Sequence, residues 1–355
     1  MPLDQVYRGR RAASIENDAL RVTVLAGGGH IAEVLDKQSG VNPLWTPPWP
    51  SIEPSTYDPR VHGAAYGAGA DGRLLAGIAG HNLCLDLFGG PSDDEAASGV
   101  TAHGDGSVSC YEIVEDGCAL VMRANFEHAQ ISFERRIDLR EGCIRVRERI
   151  ESRCPFDRPI GWTQHVTLGP PFLEKGATEF RVSATQSKVF ESAFGVADYL
   201  QRGASFEWPN APRHDGGKAD LRLFTNDPRS SAYTAHLMDV NEPTAFFVAF
   251  SPAARLAFGY VWKRSDFPWM GIWEENHSRT AAPWNGRALT RGMEFGVSPF
   301  PETRRAMVDR GRMFGTPTYR WLPANGRLET EYWILVQSAT AIPERLDPPT
   351  HGAAS

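Results

Sequence analysis

Ile131-Ser132-Phe133-Glu134-Arg135-Arg136-Ile137-Asp138-Leu139-Arg140, then Glu141-Gly142, then Cys143-Ile144-Arg145-Val146-Arg147-Glu148-Arg149-Ile150-Glu151 is the stretch that decides the fold. Its period is two. Ile131, Phe133, Arg135, Ile137 and Leu139 share one face, and Ser132, Glu134, Arg136, Asp138 and Arg140 share the other. After the Glu141-Gly142 turn, Ile144, Val146, Glu148 and Ile150 alternate with Arg145, Arg147, Arg149 and Glu151. Such alternation is the pattern of half-buried strands, and the two runs predict a hairpin with one face in water.

The same rhythm extends outward. Ser107 to Phe126 reads as a hairpin turning at Asp116-Gly117, and Thr318 to Ser338 as another turning at Asn325-Gly326. Leu20 to Leu25 and Ile31 to Leu35 flank Gly27-Gly28-Gly29. Further strands are expected near 81–88, 160–168, 244–250 and 255–263. Helices are scarce: Glu302 to Arg312 follows Pro301, and Asp93 to Ala97 is a short second candidate. Many strands and few helices predict an all-β protein built as a large sandwich of mostly antiparallel sheets. Neither a fixed-period repeat nor a linker divides the chain, so one domain over 1–355 is expected, with its core at about 20–340. Residues 42–80 and 191–217 break the strand rhythm. Loops of that length either serve function or cover an open sheet edge.

The 355 residues are 41% hydrophobic and 23% charged, a folded-protein composition. The net charge of −6 is spread without a basic block, which argues against nucleic acid as a partner. Met1 to Arg11 is polar and no apolar stretch follows it, so no secretory signal or membrane span is expected and the cytoplasm is the expected location. The five cysteines, Cys84, Cys110, Cys118, Cys143 and Cys154, are odd in number and lack Cys-x-x-Cys spacing. Buried thiols in a reducing compartment are the reading.

Four polar places could carry chemistry. They are Gln164-His165, where a strand delivers a histidine ahead of Gly169-Pro170-Pro171; His103-Gly104; Gly80-His81-Asn82; and Glu294 between Gly292 and Gly296. A lone histidine in a strand is more often a satisfied core residue than a catalyst. Trp162, Trp269, Trp273 and Trp284 lie beside polar residues, as in a mixed pocket wall. Glu274-Glu275-Asn276-His277 reads as a polar loop at a strand end. No nucleotide-binding, serine-hydrolase or zinc-protease motif occurs, and no histidines share ligand spacing, so neither cofactor nor metal is expected.

The runs Gly80-His81-Asn82-Leu83-Cys84-Leu85-Asp86-Leu87-Phe88-Gly89-Gly90-Pro91-Ser92, His103-Gly104, Gln164-His165-Val166-Thr167-Leu168-Gly169-Pro170-Pro171-Phe172 and Arg291-Gly292-Met293-Glu294 resemble the galactose mutarotase (aldose 1-epimerase-like) superfamily, in its divergent bacterial branch. The resemblance spans about residues 20 to 340. It implies a β-supersandwich with a sugar groove on a concave face. It implies His165 as general acid, Glu294 as general base and His103 as a sugar contact. The family's arginine before the His-Gly turn has no counterpart here; His81 stands in that region. Asn82, Gln164, Trp273, Glu275, His277 and Arg291 are the further expected sugar contacts. The acid–base reading requires His165 and Glu294 on opposite sides of one sugar-sized pocket.

The expected activity is therefore an aldose 1-epimerase acting on a free sugar, as a monomer or homodimer. The alternatives are a carbohydrate-binding protein without turnover, or a sugar-phosphate epimerase or other sugar enzyme on the same fold. A phosphate would need several cations converging on the groove, with Arg264, Arg279, Arg287 and Arg291 as candidates.

Overall fold

The computed structural model describes residues 5–140 and 142–349, so Glu141 of the expected turn lies outside them. Two antiparallel sheets face each other. The larger has twelve strands. Its order is Gln5–Tyr7, Arg10–Glu16, Leu20–Leu25, Ile31–Asp36, His81–Asp86, Arg158–Leu168, Leu289–Gly296, Trp269–Asn276, Ser230–Met238, Ala184–Val189 and Ser205–Glu207, with Arg320–Leu322 added beside the start of Arg158–Leu168. The smaller has eight, in the order Glu179–Val182, Thr244–Ser251, Leu256–Lys263, Arg327–Ser338, Cys143–Ser152, Ile131–Arg140, Ala119–Phe126 and Glu112–Asp116.

The smaller sheet keeps the alternation that the sequence shows. Along Ile131–Arg140 the odd positions are buried and the even ones are not. Its inward residues, among them Ile137, Val146, Phe258 and Tyr260, pack on Leu83, Trp162, Val166, Met293 and Phe295 of the larger sheet. This is the main core. The central strands of the larger sheet read differently, because both their faces are covered. His81–Asp86 and Trp269–Asn276 are buried at every position. Double coverage removes the polar half of the alternation, so such strands give a weak periodic signal.

The second cover is the segment that breaks the strand rhythm. Within residues 42–80 lie two short helices, Pro59–Tyr66 and Gly72–Gly77. Pro59 starts the first, and the Asp58 carboxylate caps it by accepting from the Arg60 amide. Trp45, Trp49, Tyr66, Leu74 and Leu75 pack with Tyr233, Trp273, Trp284 and Phe300 on the face of the larger sheet that turns away from the smaller one. We call this the outer face. Residues 42–80 thus cover a sheet face, where cover of an open sheet edge was the structural expectation.

Some expectations change. Arg320–Leu322 pairs with Arg158–Ile160, whereas Arg327–Ser338 pairs with Cys143–Ser152 and Leu256–Lys263, so the 318–338 stretch divides between the two sheets. Glu274 to Asn276 lie inside a strand, and only His277 begins the loop. The C-terminal helix is Arg304–Arg310, capped by Thr303, shorter than 302–312. All five cysteines are free, but Cys110 and Cys118 are exposed. No helix among the described residues is long and apolar enough to cross a membrane.

Candidate active site

Register places the central pair. Arg158–Leu168 lies between His81–Asp86 and Leu289–Gly296, and His165 sits directly opposite Asn82 on one side and Glu294 on the other. Directly opposed residues share a face. His165 Nε2 lies 3.0 Å from Glu294 Oε1, and its Nδ1 is 3.1 Å from Thr167 Oγ1. The two side chains therefore touch. They do not stand on opposite sides of a pocket, and the geometric requirement drawn from the sequence is replaced by a side-by-side pair.

Glycine makes room for this carboxyl. A Cβ at Gly292 would lie 2.4 Å from Glu294 Oε1 and 3.1 Å from the Trp273 Cβ. On the next strand, a Cβ at Gly271 would meet the Tyr233 hydroxyl at 1.9 Å. Tyr233 comes to Glu294 from two strands away, through that gap.

His103 completes the outer-face group. It adopts φ 65° and precedes Gly104 at φ 71°, where a Cβ would strike the Leu85 carbonyl at 2.6 Å, so the turn requires glycine. Its Nδ1 donates to the Phe88 carbonyl at 2.5 Å, which leaves Nε2 as an acceptor. Its ring centroid lies 5.0 Å from that of His165, and Trp273 stands edge-on to His165 at 5.9 Å.

The pair is closed in. His165 is 4% exposed and Glu294 3%. Trp284 stacks on Trp45 and meets Trp49 and Trp273 edge to face, which ties residues 42–80 to the loop after Trp269–Asn276. The Arg279 guanidinium lies over Trp284, Trp273 and Phe194 at 4.8, 5.4 and 5.7 Å. Burial pushes the Glu294 carboxyl up to about 8, against the opposing influence of Tyr233 and the Arg279 charge. Burial, and then the neighbouring His103, hold His165 well below the usual histidine range. His103 is lowered to about 4, also by burial. Burial thus disfavours the charged form of both members of the pair.

Polar groups with no partner ring this pair. Among the described residues, Asn82 Nδ2, Trp273 Nε1 and Thr163 Oγ1 are buried without a hydrogen-bond partner. Asn82 faces His165 across the strands, and Thr163 precedes it by two on the same face. Buried donors are nearly always paired, so three unpaired groups beside one acid–base pair mark a place for a polar guest.

Several expected contacts lie elsewhere. His81 and Gln164 are one residue out of phase with Asn82 and His165, so they point into the core between the sheets. There His81 Nε2 meets Gln164 Oε1 at 2.9 Å, and Tyr260 and Tyr332 close over them. Trp162 also points inward, donating to Glu148 at 3.1 Å. Arg291, three residues from Glu294, lies on the inner face under Phe180 and Phe224, 3.4 Å from Glu274. Glu275 accepts from the Ser278 amide at 2.6 Å and the Arg279 amide at 3.0 Å, so it organises the turn that presents Arg279. His277 holds that turn at φ 55° and bonds the Gly286 carbonyl. Trp269 donates to the Pro317 carbonyl. Of the four arginines considered for a phosphate, Arg279 alone reaches the pair: Arg287 is exposed on the loop and Arg264 lines a different cavity. Thr163 was legible from its spacing to His165, whereas Tyr233 has no local signal at all.

No protein-family model matches the chain, and no curated protein is similar to it in sequence. Solved structures are similar to it in fold. A candidate aldose 1-epimerase from Klebsiella pneumoniae aligns with a TM-score of 0.64 at 12% identity, over 95% of this chain and 83% of that one. Another from Escherichia coli K12 gives 0.62 at 14%, over 92% and 99%. A galactose mutarotase-like protein from Clostridium acetobutylicum gives 0.58 at 11%, over 94% and 97%. Over nearly the whole chain, the fold is galactose mutarotase-like.

Proposed function

We propose that the protein is an aldose 1-epimerase, interconverting the anomers of a free sugar at His165 and Glu294. The observation that carries this is the buried His–Glu pair at 3.0 Å, ringed by unpaired polar groups. A hemiacetal carbon bears both its hydroxyl and its ring oxygen, so an acid and a base standing side by side can serve both oxygens from one direction. His165 Nε2 accepts the proton of the anomeric hydroxyl while the Glu294 carboxyl protonates the ring oxygen. The bond from C1 to the ring oxygen breaks, giving the open-chain aldehyde. Rotation about the adjacent carbon–carbon bond presents the other carbonyl face. The ring then closes with both protons returned. The opposite allotment, imidazolium with carboxylate, has the same proton count and runs the same exchange. Each general catalyst typically contributes about 10²–10⁴-fold.

His103 Nε2, Asn82 Nδ2 and Trp273 Nε1 would receive the sugar hydroxyls. The aromatic faces around Trp284 suit the C–H face of a pyranose. A neutral sugar fits better than a phosphorylated one, because a single cation approaches the pair and Glu275 lies 3.5 Å from it. The test is optical rotation of freshly dissolved α-galactose, α-glucose, α-xylose and α-arabinose. Acceleration above the spontaneous rate is expected. Unchanged rotation with every sugar, together with calorimetric sugar binding, would favour a binding protein without turnover.

A further inference from the structure

The Tyr233 ring is surrounded by Phe88, Phe190, Phe194 and Phe300, with ring centroids 5.0 to 6.4 Å away. Such a cage would take a phenylalanine equally well, and a hydroxyl buried there costs free energy unless it is hydrogen-bonded. The hydroxyl leaves the cage at one point. It passes over Gly271, where a Cβ would lie 1.9 Å from it, and Gly271 is directly opposite Glu294 on the next strand. Two acceptors meet it there. The Pro299 carbonyl is 3.3 Å away, and the Glu294 carboxyl is the other.

One O–H cannot serve both acceptors at full strength. Which one it serves follows the state of Glu294. A carboxyl that holds its own proton is the weaker acceptor, and the hydroxyl then stays with Pro299. A carboxylate is the stronger one, and the hydroxyl turns to it. Burial, and then the Glu294 charge, hold the Tyr233 proton well above the usual phenol range, so the hydroxyl keeps its proton throughout. The turn needs only rotation about the bond from the ring to the oxygen.

We propose that Tyr233 is a positioning residue for Glu294, its hydroxyl swinging from the Pro299 carbonyl to the carboxylate as Glu294 gives its proton to the ring oxygen of the sugar. Its place in the reaction rests on the epimerase reading. The new bond forms as the proton leaves Glu294, so it stabilises the transition state more than the bound sugar. The other titratable groups facing Glu294 are His165 beside it, His103 beyond His165, Cys84 two strands away and Arg279 from the loop. Asp71 acts on His103 and Arg279 from residues 42–80, and Glu302 acts on Tyr233. Tyr233→Phe leaves all of these side chains in place.

Tyr233→Phe, Glu294→Gln and the double variant test it, with thermal melts as the folding control. Phenylalanine suits the cage, so Tyr233→Phe should fold. In polarimetry its kcat should fall about tenfold or more with KM unchanged. The alkaline limb of its rate should move to higher pH, because the donor that favoured the carboxylate is gone. In the Glu294→Gln background the same change should have no further effect on rate. NMR of carboxyl-labelled glutamate, with the Glu294 signal assigned by its loss in Glu294→Gln, reads the contact without turnover. Its midpoint should lie near 8 in wild type and higher in Tyr233→Phe. A midpoint that does not move would overturn the proposal. So would an active wild type whose Tyr233→Phe variant keeps its kcat and its alkaline limb. A wild type that accelerates no sugar, with a midpoint that still moves, would overturn the epimerase reading and Tyr233's part in the reaction while upholding the hydrogen bond.

Discussion

On the inner side of the strand Arg158–Leu168, Gln164 Nε2 and Trp162 Nε1 donate to one oxygen of Glu148, while Arg135 Nε and the Tyr332 hydroxyl donate to the other. On the outer side of the same strand, His165 meets Glu294, and Asn82 Nδ2, Trp273 Nε1 and Thr163 Oγ1 around them meet nothing. Both carboxyl groups are buried, at 2% and 3% exposure. What separates them is satisfaction. The inner carboxylate has four donor groups, one of them a guanidinium, an arrangement that fixes how one sheet sits on the other. The outer one has a histidine and Tyr233, with unpaired donors around them. Burial alone would not tell scaffold from site; the tally of hydrogen bonds does.

Glu294→Gln should have the largest effect. It keeps the shape of the outer pair and removes its exchangeable proton, so acceleration of mutarotation should fall by about 10²–10⁴-fold in polarimetry. Relative to wild type, its melting temperature should climb as pH rises from the ordinary carboxyl value of 4.5 to about 8 and stay level above that. The sign follows from the raised pKa: ionising the buried wild-type carboxyl costs stability as pH climbs from its unfolded value through about 8, and glutamine carries no such penalty.

Glu148→Ala should show the reverse profile. It strands the Arg135 guanidinium, which is 0% exposed, between the sheets. Breaking one partner of a buried pair costs about 3–5 kcal/mol, so the melting temperature should drop by about 4–7 °C. A stable Glu148→Ala protein would erase the contrast between the two faces.

Trp273→Phe sharpens it further. The Nε1–H has no acceptor among the described residues, so beyond the packing lost with the smaller ring the variant should raise the sugar KM about three- to tenfold. An unchanged KM would mean that the indole N–H does not meet the sugar.

The smallest effect is on the pH–rate profile. The pair keeps its one proton until Glu294 titrates, so the rate should fall as pH passes about 8. The Arg279 charge favours the carboxylate, so Arg279→Ala should move that limb to higher pH. A downward movement would place Arg279 outside the field of Glu294.

Much of this was legible in the chain. The alternation over 131–151 gives the small sheet directly, and it even sets Arg135 and Glu148 on the apolar faces of consecutive strands, where they meet. The central strands of the large sheet were harder, because burial on both faces erases the polar phase that alternation needs. Ser230–Met238 shows this: all nine positions are buried, and it was missed. At the site, His165, Glu294, His103, Asn82 and Trp273 come together on one face. The misplaced residues are mostly errors of phase. Gln164 is one residue from His165 and His81 is one from Asn82, so neither can share the outer face. Arg291, three from Glu294, fails for the same reason. Tyr233 and the aromatic cover from residues 42–80 arrive by tertiary packing, which no local pattern records.

The seat of Glu294 is hollowed out by two absent side chains, at Gly292 and Gly271. Every hydrogen bond of the sheet at those positions is made by backbone, which alanine would supply equally well. A methyl group at 292 would therefore leave the strand ladder intact and evict the carboxyl from its place beside His165. In this architecture the inheritance of shape and the inheritance of chemistry travel on different atoms. A descendant can keep every strand and lose the His165–Glu294 pair through one added carbon.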